Sequence, residues 1–342
     1  MAEKVTSLQV AQRAGVSQSA VSRVFTPGAS VSKKTADKVK QAAAELGYRP
    51  NVLARAMVSG RSRIIGLVVA YLENQFYPTA IEKLSNALQE HGYHVLVFLA
   101  SQTSGNVEDV MDEILDYQVD GIVTASVSMS SDIAQRCQAA GVPMVLFNRS
   151  QDIEGITSVT SDNYAGGRKA AEFLLAGGHE RIGYIGGWEG ASTQRDREAG
   201  LQAALRQAGM DIFAREDGDF HTEEARVAAR RMIDVPAGQR PDAVFAANDH
   251  MALAVMDVLR FDLGLSVPGD VSVIGYDDVP PAAWPAYNLT TVRQRANLMV
   301  EETVAALMEH IDSPATANPR RVAIDGPLIV RGSARIPEGW TT

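Results

Sequence analysis

Beyond residue 63, short apolar runs alternate with amphipathic segments along most of the chain. Apolar runs of about four to eight residues between turn signals are typical of buried strands, and apolar residues spaced three to four apart are typical of helices. Two such strand-helix series follow each other. The sequence therefore predicts an α/β body of two doubly wound parallel-sheet lobes with a cleft between them.

The first series predicts strands at Ile64–Ala70, His94–Ala100, Gly121–Ala125 and Met144–Phe147, and helices at Pro78–His91, Asn106–Tyr117 and Ser131–Ala140. The second series, after Thr157–Asp162, predicts strands at Ile182–Ile185, Ala243–Ala246 and Val271–Tyr276, and helices at Ala165–Ala176, Asp196–Ala208, Thr222–Ile233 and Met251–Phe261. Ligands of such sheets bind beyond the carboxyl ends of the strands. We therefore expect binding residues at those ends.

The first fifty residues are organised as helices instead. Thr6 and Gln9 have the spacing of a capping box. The helix that they start has an apolar side made of Leu8, Val10, Ala11 and Ala14. Gly15 then stands at a break before a second helix that begins at Ser17. Two short helices joined at a glycine are the pattern of a helix-turn-helix.

The second helix has two chemically different faces. Its apolar face is made of Ala20, Val21, Val24 and Phe25. The opposite face carries an amide, two small hydroxyls and a guanidinium, on Gln18, Ser19, Ser22 and Arg23. These groups suit the reading of base edges in a major groove. A small amphipathic hairpin packed on another domain is the alternative interpretation.

A third helix is predicted from Lys33 to Leu46, with Ser32 as its cap and Gly47 at its end. Asn51 can then cap a further helix of about two turns, which is too short to persist alone. Its apolar residues have no obvious partner in the head. We therefore expect a linker that becomes ordered when two copies meet on DNA and presses an apolar side chain into the minor groove. A flexible tether is the alternative.

Charge is distributed unevenly along the chain. The net charge is -9, yet residues 1–62 hold ten Lys or Arg against three Asp or Glu, a net charge of +7 that leaves -16 on the remainder. A basic head on an acidic body predicts that the head binds a polyanion. The single cysteine, Cys137, excludes an intrachain disulfide. Because no apolar run has membrane-spanning length and the N-terminus lacks a signal-peptide core, we expect a cytoplasmic protein.

Several runs of the head carry a family resemblance: Ser7–Ser17 (SLQVAQRAGVS), Val21–Val24 (VSRV), Val31–Thr35 (VSKKT), Leu46–Asn51 (LGYRPN) and Ala54-Arg55. They resemble the headpiece of the lactose-repressor (LacI/GalR) family of bacterial transcription regulators, and the resemblance extends over essentially the whole chain. It implies a headpiece at 1–49, a hinge at 50–62 and a core at 63–342. Likeness to periplasmic sugar-binding proteins implies lobes that are discontinuous in sequence, at about 63–160 with 293–325 and about 161–292 with 326–342.

The resemblance also implies roles for residues of the head. Gln18, Ser19 and Arg23 align with positions that read bases. The positions that contact the DNA backbone align with Thr6, Ser17, Ser22, Thr26, Ser32, Thr35, Tyr48 and Asn51. Ala54 and Met57 align with the hinge pair in the minor groove, where the family usually has Leu in place of Met57. Methionine is apolar and more pliable, so we expect insertion with weaker kinking.

Candidate effector contacts follow the strands of the body. They are Asn74, Phe76 and Tyr77 after the first strand, and Asn148 and Arg149 after the fourth. The resemblance adds Arg197, Phe220, Asn248 and Asp277, and Gln294 lies at a lobe crossover. Asn148 replaces the Asp that the family commonly has, which argues against a ligand held by a negative acceptor there. Asp278 is the weaker candidate for the same ligand-binding role as Asp277, and we expect it to have a structural role. Polar groups beside aromatic rings favour a monosaccharide or a sugar derivative, with a purine or nucleoside as the alternative.

No leucine heptads follow Ser333, so we expect a homodimer, whose two-fold symmetry predicts a pseudopalindromic operator. The predicted function is a ligand-responsive transcriptional regulator, most simply a repressor, at the bacterial nucleoid. A cytosolic sugar-binding protein or sensor without sequence-specific DNA binding is the alternative. We expect a protein without enzymatic activity, cofactor or metal, because the sequence has no G-x-S-x-G, Walker A, G-x-G-x-x-G or H-E-x-x-H motif.

Overall fold

The computed structural model describes residues 5–26, 29–49, 61–70, 72–100, 107–127, 130–151, 153 and 155–340. The chain forms two compact units, Met1–Arg63 and Ile64–Thr342. We refer to them as the head and the body.

The head contains three helices, α1 (Ser7–Ala14), α2 (Gln18–Val24) and α3 (Lys33–Leu46). The predicted capping box is present: the Thr6 amide donates to Gln9 Oε1 at 2.8 Å, and the Gln9 amide donates to Thr6 Oγ1 at 3.4 Å. Gly15 ends α1 in the left-handed conformation, with φ of 67°. The three helices share one small core, centred on Val10, Val21 and Val39.

Leu8 does not join this core, so its assignment to the apolar side of α1 is wrong. Its side chain is 51% exposed, whereas Val10 and Ala11 are buried. The helical period explains the difference. Leu8 precedes Val10 by two residues, which is about 200° around the helix axis. The buried side of α1 is therefore narrower than the sequence pattern indicates.

The body has two sheets, which confirms the predicted two-lobed α/β fold. The first sheet has the order β11-β5-β4-β3-β1-β2 and is parallel throughout. Its strands are β1 (Ile64–Val69), β2 (His94–Leu99), β3 (Gly121–Ala125), β4 (Met144–Phe147), β5 (Thr157–Ser161) and β11 (Arg321–Ile324). Its helices are α4 (Phe76–Glu90), α5 (Val107–Asp116), α6 (Ser131–Ala139) and α11 (Ala296–Asp312). We call this sheet with its helices lobe 1.

Lobe 1 has a separate apolar core on each face of its sheet. Residues of α4 and α11 pack with Ile65 and Leu67, while residues of α5 and α6 pack with Ile64 and Val68. Successive residues of a strand point to opposite faces, so a continuously apolar strand such as β1 needs helices on both sides.

Lobe 2 contains the second sheet, with the order β12-β10-β9-β8-β6-β7. Its strands are β6 (Ile182–Gly186), β7 (Ala214–Asp217), β8 (Ala243–Ala246), β9 (Ser272–Asp277), β10 (Thr290–Arg293) and β12 (Leu328–Ile329), which is antiparallel to β10. Its helices are α7 (Asn163–Ala176), α8 (Ser192–Gln207), α9 (Thr222–Ile233) and α10 (Asp249–Asp257), and a π-helical turn, Val258–Asp262, continues α10. The chain passes between the sheets after β5, β10 and β11.

The sequence pattern misses five strands: β5, β7, β10, β11 and β12. They are two to five residues long, and most are rich in Thr, Ser, Arg or acidic residues. In β5 even the polar side chains of Thr157, Ser158 and Ser161 are buried. Hydroxyl side chains can be buried in a strand when they are hydrogen-bonded. A search for apolar runs does not detect such a strand.

Helices α7 and α8 cross so closely that their backbones are in contact. A Cβ atom on Gly167 would lie 2.1 Å from the carbonyl oxygen of Arg197, and one on Gly200 would lie 2.0 Å from that of Tyr164. A backbone atom cannot move aside as the end of a flexible side chain can. These glycines therefore determine how near α8, which carries Arg197, lies to α7.

We predict that Gly200→Ala destabilises the body, because the added methyl group forces the two helices apart. Overpacking of this kind costs about 1–3 kcal/mol in the free energy of unfolding, which urea denaturation followed by circular dichroism would measure. The matched control is Gly238→Ala, since a Cβ there has nothing within 4 Å. Equal stability of the two variants would contradict the close crossing.

Candidate functional site

The polar face of α2 is exposed as the sequence predicts. Gln18, Ser19, Ser22 and Arg23 face solvent, while Val21 on the other side is fully buried. Gln18 Nε2 donates to Ser7 Oγ at 2.9 Å, which ties the start of α2 to the start of α1. Arg23 Nε reaches only the Ser19 carbonyl, at 3.4 Å, and no ion pair involves Arg23 among the described residues. Its charge is therefore available to an external partner.

Three of the residues with predicted phosphate contacts are helix N-caps. Thr6, Ser17 and Ser32 each accept a hydrogen bond from the backbone at the start of α1, α2 and α3, respectively. Helix N-termini carry partial positive charge and free backbone amides, both of which favour phosphate. The caps fix these amides in place, so the same residues account for the local fold and for the expected backbone contacts.

The other predicted backbone contacts of the head are also located. Ser22 and Thr26 are exposed, and Thr26 Oγ1 donates to the Ser22 carbonyl at 2.9 Å. Thr35 Oγ1 and Ser32 Oγ share a hydrogen bond of 2.9 Å. The ring of Tyr48 packs against Phe25 with its centroid 6.0 Å away. The predicted hinge residues Asn51, Ala54 and Met57 lie outside the described residues.

In the body, the carboxyl ends of the two sheets meet at one small cavity. Lobe 1 contributes Asn74, Tyr77, Ser126, Asn148 and Arg149, and lobe 2 contributes Thr193, Arg197, Phe220, Asn248 and Asp277. The free volume is about 10 Å³, which is room for about one water molecule. The cleft is thus closed, and a sugar can enter only if the lobes or the lining side chains move.

Direct bonds between the lobes hold this closed arrangement. Asn74 Nδ2 donates to Asp277 Oδ2 at 2.8 Å, and the Ser150 amide donates to Ser192 Oγ at 3.0 Å. The guanidinium of Arg149 lies 5.5 Å from the centre of the Trp188 ring, a cation–π contact. Each of these contacts joins a residue of lobe 1 to a residue of lobe 2.

Asp277 is the buried carboxylate at the centre of the cavity. Besides Asn74, it accepts a hydrogen bond from Gln294 Nε2 at 2.6 Å, and Arg197 Nη2 lies 3.7 Å from it. Burial raises the pKa of Asp277, and the charge of Arg197 opposes that rise. The carboxylate is therefore stabilised by positive charge and donors from both lobes, as a buried charge requires.

Arg197 is held on several sides. Its Nε donates to Asn163 Oδ1 at 2.8 Å, its Nη1 donates to the Ala247 carbonyl at 2.5 Å, and its Cζ lies 3.6 Å from the centre of the Tyr276 ring. A guanidinium fixed in this way presents its remaining donor in one direction. That direction is towards Asp277 and the cavity.

Four cavity residues have a positive φ angle: Ser126 at 59°, Asn148 at 57°, Phe220 at 62° and Asp277 at 128°. Residues other than glycine adopt such angles at a cost, and they are found preferentially at binding and catalytic sites. The four lie at the ends of different strands. The cavity is therefore where the body concentrates its backbone strain.

Some buried polar atoms around the cavity have no hydrogen-bond partner among the described residues. They include Asn148 Oδ1 and Asn248 Nδ2. Asn248 uses its other side-chain atom to cap α10, where Oδ1 accepts from the Met251 amide at 2.9 Å. A buried polar group without a partner costs free energy. A polar ligand that pairs with these atoms would recover it.

Eight of the ten predicted effector contacts line this cavity, and two do not. Phe76 is a core residue of lobe 1, with its ring 6.2 Å from Phe147 and only 5% exposed. Gln294 donates to Asp277 and is not among the residues that line the cavity. The structure therefore gives Phe76 a packing role and Gln294 a role in holding the carboxylate.

The structure adds Ser126 and Thr193 to the lining, and the sequence reasoning missed both. Ser126 follows β3 directly, so the rule that ligands bind at strand ends could have found it. Thr193 lies in the first turn of α8, which begins four residues before the predicted start. Small hydroxyl residues are common in turns and caps, and they carry no signal of a ligand by themselves.

Asp278, beside Asp277, has the structural role expected of it. It contacts Arg293 Nε at 2.5 Å and Arg331 Nη2 at 2.6 Å. The two arginines belong to β10 and to the segment after β12, so Asp278 ties the edge of the second sheet together.

Gly187 has a different supporting role: a Cβ there would lie 2.2 Å from Phe220 Cζ, so only glycine leaves room for that ring.

Comparison with known proteins gives a family match within each of the two units, the head and the body. A family model described as "Bacterial regulatory proteins, lacI family" matches residues 8–51, and one described as "Periplasmic binding protein-like domain" matches residues 171–334. The HTH-type transcriptional regulator CelR of Thermobifida fusca is 36% identical over 95% of this chain and 96% of its own length. The chain belongs to the lacI family of bacterial regulatory proteins.

Other members of the lacI family give the same result. The ribose operon repressor of Escherichia coli (strain K12) is 32% identical over 96% of this chain and 99% of its own length. A structure of the lac repressor dimer bound to operator and an anti-inducer matches with a TM-score of 0.85 and 28% identity, over 97% of this chain and 99% of that chain. A CelR–cellobiose complex matches with a TM-score of 0.72 and 33% identity, over 97% of this chain and 100% of that chain.

This lacI-family chain is a DNA-binding transcriptional regulator with a helix-turn-helix head and a periplasmic-binding-protein-like body. The relatives named above are regulators rather than enzymes. Among the described residues, no group of three His, Cys, Asp or Glu side chains could hold a metal ion. None of the helices in the described ranges has the length and apolar character needed to cross a membrane.

We predict that Arg23→Ala weakens binding to the operator more than binding to random DNA. Loss of a bidentate contact to one base pair costs about 1–3 kcal/mol of discrimination, which fluorescence anisotropy on operator and scrambled duplexes would measure. Arg13→Ala is the matched control, because Arg13 pairs with Glu45 at 2.6 Å outside the polar face of α2. Equal losses on both duplexes would mean that Arg23 contacts only the backbone.

We also predict that Asn74→Ala opens the cleft, because it removes the hydrogen bond from lobe 1 to Asp277. The radius of gyration from small-angle X-ray scattering should increase relative to the unsubstituted protein. The control is Asn318→Ala, which removes an exposed side chain whose hydrogen bond among the described residues is to the Thr316 carbonyl, at 3.3 Å. An unchanged radius for Asn74→Ala would show that the other contacts keep the lobes closed.

Proposed function

We propose that the protein is a repressor that binds a pseudopalindromic operator as a homodimer and responds to a small polyhydroxylated effector bound between its lobes. The observation that carries this proposal is the cavity at the carboxyl ends of both sheets, where charged, amide and aromatic side chains from the two lobes converge. We further propose that it works in the bacterial cytoplasm at the nucleoid, because its target is DNA.

On the DNA side, each head places Gln18, Ser19 and Arg23 in one major-groove half-site. Support comes from the exposure of these side chains and from the helix N-caps that flank them. The hinge residues Ala54 and Met57 enter the minor groove between the half-sites, where a pyrimidine–purine step is the easiest to kink. The assignment of the hinge rests on the sequence alone.

On the effector side, the ligand is a monosaccharide or a sugar derivative. Phe220 supplies an aromatic face for C–H surfaces, and Arg197, Asn248 and Asp277 supply partners for hydroxyl groups. CelR has been captured with cellobiose, and the ribose operon repressor is named for a sugar system. Relatives named PurR and CytR make purines and nucleosides the class to test beside sugars.

The closed cleft suggests how the effector acts. Asn74 already occupies one oxygen of Asp277 with a hydrogen bond that joins the lobes. A ligand hydroxyl that takes this place must displace Asn74, so binding changes the contacts that set the angle between the lobes. Any change in DNA affinity that follows is matched by an equal change in effector affinity, because the two equilibria are linked.

The first experiment is fluorescence anisotropy of DNA from upstream of the protein's own gene, with and without D-ribose, D-glucose, cellobiose, adenosine and hypoxanthine. Tight binding that one sugar weakens would establish a sugar-induced repressor, and strengthening would establish a corepressor. A response to adenosine or hypoxanthine alone would replace the sugar proposal. Binding of a sugar without any specific DNA binding would favour a sensor that does not regulate transcription.

We predict that Asp277→Asn weakens the response to the effector while DNA binding is kept. A hydrogen bond to a charged group is worth about 1.5–3 kcal/mol, so effector affinity should fall by roughly ten- to a hundredfold. Isothermal titration calorimetry would measure it. The matched control is Asp217→Asn, at the end of β7 in the same lobe but outside the cavity. Loss of DNA binding with an unchanged effector affinity would reverse the assignment.

A further inference from the structure

Three buried side chains of lobe 1 form a series of hydrogen bonds along the cavity wall. Asn148 Nδ2 donates to Tyr77 Oη at 3.0 Å, and Tyr77 Oη is in close contact with Ser126 Oγ. All three residues are at most 4% exposed, and all three line the cavity. The direction in which protons are donated along this series decides what the cavity offers to a ligand.

The chemistry of the three groups gives the series one direction. An amide nitrogen can only donate, so Tyr77 Oη is the acceptor in its bond with Asn148. Between a phenol and an alkyl hydroxyl, the phenol is the stronger acid and therefore the better donor. Burial raises the pKa of Tyr77, so its phenol keeps the proton that it donates. Ser126 Oγ then accepts, and its own proton is left for a partner in the cavity.

We propose that this series makes Ser126 a specificity-determining hydrogen-bond donor and leaves Asn148 Oδ1 as a neutral acceptor beside it. The proposal rests on the proposed function, since it requires a ligand in this cavity. A donor next to a neutral acceptor fits an uncharged hydroxyl or a pair of adjacent hydroxyls. It disfavours an ammonium group, which brings no acceptor for Ser126, and a carboxylate, which brings no donor for Asn148.

Residue 148 controls this polarity. An aspartate there would accept the phenol proton of Tyr77, and Ser126 would then donate to Tyr77 and offer only lone pairs to a ligand. The wall would present acceptors alone. Both Ser126 and Asn148 have positive φ angles at strand ends, with values of 59° and 57°. Their side chains therefore start from fixed backbone positions, and the polarity is set by residue type.

The direction of the series can be tested without a ligand. In ultraviolet resonance Raman spectra, tyrosine gives a Fermi doublet of two bands. The intensity of the higher-frequency band divided by that of the lower-frequency band rises when a phenol stops donating its proton in a hydrogen bond. Difference spectra against Tyr77→Phe isolate Tyr77 from the other tyrosines. We expect Ser126→Ala to raise the ratio, because the phenol loses its acceptor, and Asn148→Asp to lower it. A ratio that falls or stays constant in Ser126→Ala would mean that Tyr77 donates to Asn148, and would overturn the proposal.

A second variant guards against misfolding. Ser126→Gly also removes the hydroxyl, and glycine tolerates the positive φ angle at this position. The same rise in the ratio is expected, with circular dichroism confirming the fold. If the ratio rises in Ser126→Ala but not in a folded Ser126→Gly, the rise comes from distortion of the backbone and not from the lost acceptor. That result would contradict the proposed direction of the series.

The effect on specificity is tested with D-ribose, D-glucose and cellobiose by isothermal titration calorimetry. For whichever sugar binds, Ser126→Gly should weaken binding about five- to tenfold, as expected for one net hydrogen bond. A deoxy analogue that lacks the hydroxyl facing Ser126 should bind both proteins equally. Unchanged affinity of the parent sugar would overturn the donor role. If no sugar binds the unsubstituted protein, the sugar proposal fails while the Raman result still decides the direction of the series.

Discussion

A carboxylate buried between two lobes must be stabilised from both, and Asp277 is that carboxylate. Asn74 reaches it from lobe 1, Arg197 reaches it from lobe 2, and Gln294 reaches it from the crossover between them. Leaving any of these groups unpaired in a buried position costs free energy. The position of one lobe relative to the other is therefore tied to the charge balance at a single residue.

Much of the remaining architecture supports this arrangement. Apart from β12, the strands of each sheet run parallel, so their carboxyl ends gather polar residues at one edge. The glycine crossing of α7 and α8 fixes Arg197, and the missing side chain of Gly187 admits Phe220. A second buried carboxylate, Asp249, accepts from the Val279 amide and from Thr291 Oγ1. Burial raises the pKa of Asp249, and the nearby Asp277 raises it further.

The sequence predicts the head better than the details of the cleft, and the reason is physical. Helix caps are local: Thr6, Ser17 and Ser32 bond amides within three residues, so their spacing reveals them. The body's helices begin two to four residues earlier than the apolar pattern indicates in four cases, α4, α7, α8 and α10. In α8 the first turn is polar, and Thr193 in that turn lines the cavity. Thr193 was missed for this reason.

Other features of the cleft depend on long-range geometry. That Asn74 bonds Asp277, about two hundred residues away in sequence, cannot be read from either residue alone. Phe76 illustrates the opposite error, since an aromatic residue after a strand fits a ligand site and a core equally well, and only packing against Phe147 distinguishes them. Apolar periodicity predicts which residues are buried, but it does not predict which buried polar groups meet.

The division of charge between the units adds one more constraint on regulation. The first 62 residues have a net charge of +7 and the rest a net charge of -16, so the attraction to DNA resides in the head while the body is repelled by phosphates. An effector bound in the body cannot act by altering the charges that contact DNA. It can change DNA affinity only by favouring one arrangement of the lobes over another, and only by as much as its affinity differs between those arrangements. A cleft that closes on its own side chains, with Asn74 in the place of a ligand group, provides such a difference, since a ligand must exchange one set of hydrogen bonds at Asp277 for another.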